Sequence, residues 1–208
     1  MQTKIKINSL LTVLTAFTLL FSCYFSIPTK ATNSGSTTAT LGVTRTLVCM
    51  FNFSAKPEKR IPRVSNWNTL LTVKIYNSSS NLITTVNQLR TADSGSGSVD
   101  LCPQNLNLSL GLYSFDVIGY SHLCRKFSSI PAFETDAQVV DFSKNGVELL
   151  AGETSNVRDE KINSLDMSTQ IRFLYRTDDE KNDLNRDQKV NSLDFSNTIF
   201  NLYKLGQC

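Results

Sequence analysis

Between positions 183 and 194 the chain reads DLNRDQKVNSLD, and this stretch has oxygen donors at the spacing of a twelve-residue calcium loop. With Asp183 as position 1, the others are Asn185 at 3, Asp187 at 5, Asn191 at 9 and Asp194 at 12, and the carbonyl of Lys189 at 7 adds one more. A hard cation such as Ca²⁺ takes about six to eight oxygens, and three carboxylates this close repel one another without one. Val190 at position 8 is the apolar residue expected to turn inward beneath the loop, and Phe195, Ile199, Leu202 and Tyr203 follow at helical spacing. Two departures stand out. Position 6 is Gln188, where a sharp turn favours glycine, and position 12 is aspartate, one methylene shorter than the usual bidentate glutamate. The alternative is a polar, helix-capping loop that holds no metal.

A second copy lies upstream. Residues 158–176 align without a gap on 186–204, sharing Arg158/Arg186, Asp159/Asp187, Lys161/Lys189, the NSLD of 163–166 and 191–194, Ile171/Ile199, Leu174/Leu202 and Tyr175/Tyr203. The first copy has Ser155 at position 1 and Val157 at position 3, which leaves Asp159, Asn163 and Asp166 as side-chain donors with the Lys161 carbonyl. Charge count sets affinity in such loops, so this one is expected to bind weakly or not at all.

This tandem of EF-hand-like loop and helix resembles a type I dockerin over residues 151–208. The resemblance implies Ca²⁺ as cofactor and a cohesin-like domain or cell-surface scaffold as partner. It places recognition at loop positions 10 and 11, Ser164 and Leu165 in one copy and Ser192 and Leu193 in the other. Arg172, Arg176 and Lys204 would add contacts. The same leucines read equally well as core residues between the two helices.

The remaining chain must carry this tail. Its 208 residues allow one domain or two small ones. A net charge of +3, spread along the chain, gives no stripe for nucleic acid. Lys4 and Lys6 precede an apolar run over 10–27, and residues 29–31 offer a small-residue cleavage site, so 1–31 reads as an export signal. Two other readings of the leader stay open: lipidation at Cys23, or retention as an anchor. Each puts the mature protein outside the cytoplasm, secreted or surface-attached. Residues 32–39 read as a linker.

Residues 40–150 contain short β-branched and aromatic runs at 41–53, 69–76, 82–89, 99–102, 112–120, 123–127, 133–142 and 147–150, separated by turn signals. These predict a β-sandwich of immunoglobulin or fibronectin type, so the fold class is mainly β with a small α domain behind it. The sandwich is similar, more loosely, to modules attached to dockerins in exported bacterial proteins, and this implies a non-catalytic role. Cys49, Cys102, Cys124 and Cys208 suit an oxidising compartment, with all three pairings open.

No catalytic constellation is visible. Asp93, Asp100, Asp116, Glu134, Asp136, Asp141 and Glu148 include no pair marked out for glycoside hydrolysis, and Glu134 and Asp136 read as one solvated strand face. His122, the only histidine, lacks a nucleophile elbow and reads as a loop residue hydrogen-bonded locally. Trp67, with Tyr76, Tyr113 or Tyr120, would be the stacking platform if the sandwich bound polysaccharide, although a core role fits Trp67 as well. The Asn52, Asn77 and Asn107 sequons are incidental matches in a chain with a bacterial-type leader.

Overall fold

The structure is a computed structural model that describes residues 48–60, 66–104, 106 and 108–208. The expected export signal, Cys23, the linker, the first part of the 41–53 run and Asn107 lie outside the described residues.

Among the described residues seven strands form two sheets. β1 (Met50–Ser54) lies between β4 (Ser96–Asp100), antiparallel to it, and β7 (Val139–Asp141), parallel to it. The second sheet is antiparallel throughout, in the order β3 (Leu82–Arg90), β2 (Leu70–Tyr76), β5 (Gly111–Gly119) and β6 (Arg125–Ala132). Alternation along the strands builds the core: Leu71, Val73 and Ile75 of β2 and Tyr113, Phe115 and Val117 of β5 face Phe51 and Phe53 of β1. The Phe51 and Phe115 rings stack across the sheets at 5.8 Å between centroids, and Phe142 meets Phe115 edge-on at 5.4 Å. Opposite Phe53 the partner strand has Gly97, where a Cβ would lie 2.3 Å from the Phe53 ring. This is a mostly β architecture of sandwich type. The 147–150 run forms only an isolated bridge, Leu149 to Pro57.

Two nine-residue helices follow, α1 (Ser164–Arg172) and α2 (Ser192–Phe200). Each starts on a capping box. Asn163 accepts from Leu165 N while Asp166 accepts from Asn163 N, and Asn191 and Asp194 repeat this. The copies pair about a local two-fold relation. Tyr175 N donates to Val190 O and Tyr203 N to Ile162 O, each at 2.8 Å, and the buried Thr198 hydroxyl donates to Gln170 Oε1 at 2.7 Å.

The helical pair is not a separate body. The described residues all belong to one compact unit. Disulfides join Cys49 to Cys102 within the sandwich and Cys124, just ahead of β6, to Cys208. Arg158 Nη1 donates to Gly119 O at 2.9 Å and its Nη2 to His122 O. Glu160 Oε2 accepts from Cys124 N at 2.7 Å. Asn201 Nδ2 donates to Ala151 O at 2.9 Å and to Glu58 Oε1. The described residues therefore do not show a separate EF-hand-like domain following the sandwich.

Candidate metal centre

Two features shape the second loop. Gln188, at the position favouring glycine, adopts the left-handed conformation (φ 73°), as does Arg186 (φ 63°). The resulting curl points backbone N–H groups inward. Asp183 accepts from Asp187 N at 3.2 Å and Gln188 N at 2.9 Å, and Asn185 Oδ1 accepts from Asp187 N at 2.9 Å. Asp194, fully buried, accepts from Asn185 N at 3.0 Å through one oxygen and Asn191 N at 2.9 Å through the other.

Carboxylate oxygens of Asp183, Asp187 and Asp194 lie within 4.8 Å of one another. Asp183 and Asp194 are buried while Asp187 is exposed, so solvent reaches the cluster at Asp187. Burial pushes the Asp183 carboxyl up and takes Asp194 up to about 6. An all-oxygen donor set with buried, mutually repelling carboxylates fits a hard divalent cation. Asp183, Asp187, Asp194, Asn185 and the Lys189 carbonyl would hold it. Asn191, the sixth expected donor, also caps α2: its Oδ1 accepts from Leu193 N at 2.7 Å and its amide donates to Asp187 Oδ2 at 2.9 Å.

The first loop is built differently. Val157 is 74% exposed, and the Ser155 hydroxyl turns to the Val157 carbonyl. Asp159 accepts from Lys161 N at 3.0 Å and Asn163 Nδ2 at 2.9 Å. Asp166 is buried on three backbone N–H groups, those of Thr154, Ser155 and Asn163. Among the described residues the only other close group of such ligands is Cys49, Asp100 and Cys102, whose sulfurs share a disulfide.

The seven residues expected to meet a partner, Ser164, Leu165, Arg172, Arg176, Ser192, Leu193 and Lys204, are all exposed. Leu165 and Leu193, at 56% and 52%, are not core residues; Ile162 and Val190 fill that role.

Sequence reasoning passed over a cationic seam between sandwich and loop. Arg60 is buried, with Nε and Nη1 lacking hydrogen-bond partners; burial and the neighbouring Arg186 lower it to about 9. His122 is fully buried with neither ring nitrogen hydrogen-bonded, contrary to the local hydrogen bonding expected. Burial, reinforced by Arg60, Arg158 and Arg186, holds it well below the usual histidine range. Its ring packs where a Cβ on Gly119 would come within 2.7 Å. Lone arginines spaced along a sequence give no signal that folding will gather them. Trp67 is partly buried, with Lys56 Nζ over its ring at 4.4 Å from the centroid. Glu134 and Asp136 are exposed, and Asp136 accepts from Cys49 N and Met50 N at 2.8 and 3.0 Å.

No protein-family model matches the chain, and no curated protein matches it. Among solved structures it is similar to chains from two interface mutants of a type II cohesin–X–dockerin complex of Acetivibrio cellulolyticus, one altered at the C-terminal and one at the N-terminal interface. The identities are 15% and 14%, the TM-score is 0.51 for both, and each match covers 76% of this chain and 97% of the other. Such likeness shows the fold alone. It corrects the identification as a type I dockerin. The complexes are of type II, and the described residues form a mostly β architecture, two sheets with two short helices, in place of a C-terminal type I dockerin standing by itself. The cohesin-like partner rested on that identification and loses its support with it.

Proposed function

We propose that this chain is an exported, non-catalytic interaction module: a cohesin-like β-sandwich that receives a dockerin-type partner and carries a calcium-ordered helical pair on its flank. The single observation behind the reading is the fold likeness to chains of cohesin–X–dockerin complexes over almost the whole length of those chains. Two disulfides are consistent with export to an oxidising compartment. At the 183–194 loop the ion would supply the positive charge that lets Asp183 and Asp194 stay ionised while buried, fixing the entry to α2.

Surface plasmon resonance of the disulfide-intact chain against immobilised dockerin-type and cohesin-type domains tests the pairing. Saturable binding to the dockerin arm supports the reading. Binding to the cohesin arm alone would reverse it. Isothermal titration with Ca²⁺ tests the ion: one event is expected, abolished by Asp183→Ala combined with Asp194→Ala.

A further inference from the structure

The two loops share one sequence pattern but differ in what their side chains contact. In the first, Ser155 and Val157 stand at positions 1 and 3, where the second has Asp183 and Asn185; Asp166 accepts from three backbone N–H groups at 2.8–2.9 Å, much as Asp194 accepts from Asn185 N and Asn191 N, so the difference lies in the lost donors. Positive charge comes from the chain itself. Lys181 Nζ donates to the Ser155 carbonyl, where Glu153 and Asp166 act on it. Positions 4 and 6, which in the second loop are Arg186 and Gln188, here face the sandwich. Arg158 grips the Gly119 and His122 carbonyls, Glu160 accepts from Cys124 N, and the two side chains pair at 2.5 Å. The chain end closes over them, Gly206 N donating to Glu160 O and Gln207 N to Cys124 O, both at 2.8 Å.

We infer that the first loop is a calcium-independent clamp onto the sandwich, so that the ion governs only the second repeat. α1 stays docked at every calcium level, while residues 183–195 take their order from the ion. Arg158 and Glu160 are positioning residues: they bind no ligand and fix the helical pair to the end of β5 and the start of β6. The inference rests on the calcium reading of the second loop.

Hydrogen exchange read by mass spectrometry on the full, disulfide-intact chain, in millimolar Ca²⁺ and in EDTA at one pH, tests it. Removing the ion is expected to speed exchange over 183–195 by about a hundredfold or more, a local opening of the kind that exchange resolves, and to change 154–170 less than about threefold. Equal loss of protection in both repeats would overturn the clamp while leaving the calcium reading intact. If calorimetry gives no Ca²⁺ event and exchange is the same in both buffers, the calcium reading and this inference fall together. Arg158→Ala is expected to make 154–170 respond to EDTA as well. An unchanged first repeat in that variant would show that the arginine is not what holds it, and the wild-type comparison stands by itself should the variant fold poorly.

Discussion

Asp194 has two roles that pull its proton affinity in opposite directions. As the third residue of α2 it accepts a hydrogen bond from Asn191 N, and as loop position 12 it lies beside Asp183, both carboxylates being buried. Burial outweighs the backbone hydrogen bonds and sets its carboxyl at about 6, above the ordinary 3.8. A raised carboxyl favours the protonated native state. Without the ion, this group therefore costs stability above about pH 6, and the cost is relieved as pH falls from 6 towards 4. The ion reverses the sign, because it requires the carboxylate. Calcium affinity is thus expected to be nearly flat above pH 7 and to fall by up to about tenfold per unit below pH 6, one proton being displaced per ion bound. Calorimetric titrations at pH 5, 6, 7 and 8 measure this directly. A pH-independent affinity would mean that Asp194 is not among the ligands.

Elements here were legible where their signal was local. The hairpin of β2 and β3, the alternation of Tyr113, Phe115 and Val117, and the two NSLD helix starts follow from period and capping chemistry, and the structure has them. The dockerin identification drew on the same local repeat and overreached, because a tandem loop and helix does not report what lies against it. Asn201 shows what was hidden. It occupies the position held by Phe173 in the first copy, and nothing in its surroundings in sequence distinguishes it from a solvated helix end. In the fold it is fully buried and donates both to Ala151 O and to Glu58, a carboxylate raised by its own burial. Glu58 in turn accepts from Ala151 N at 2.9 Å. Asn201→Ala would leave a buried carboxylate and a buried carbonyl without their shared donor, a loss of about 2–3 kcal/mol. Urea denaturation should show it as a lower midpoint with an unchanged slope. A shift below about 0.5 kcal/mol, the range of ordinary surface substitutions, would mean that this junction contributes little.

Between sandwich and helical pair the division of apolar burial is unequal. The large core cluster, with Phe51, Phe53, Phe115, Phe133 and Phe142, belongs to the sandwich. Beyond Leu149 the buried apolar residues are Ala151, Ile162, Leu184 and Val190, among a larger set of buried polar groups that includes Glu153, Asp166, Gln170, Asn182, Thr198 and Asn201. Burying each aliphatic side chain stabilises by roughly 1.5–3 kcal/mol. Ordering the backbone costs on the order of 1–2 kcal/mol for every residue fixed. The tail therefore cannot close its own balance from apolar contacts, and must draw on the ion, on the sandwich surface and on the Cys124–Cys208 link. Residues 151–208 expressed alone are expected to show little helical circular dichroism in EDTA. Millimolar Ca²⁺ should restore only part of the signal, with a melting temperature well below that of the full chain. Full helicity of the fragment in EDTA would contradict this, and would mean that the helical pair is an autonomous domain resting against the sandwich rather than one shaped by it.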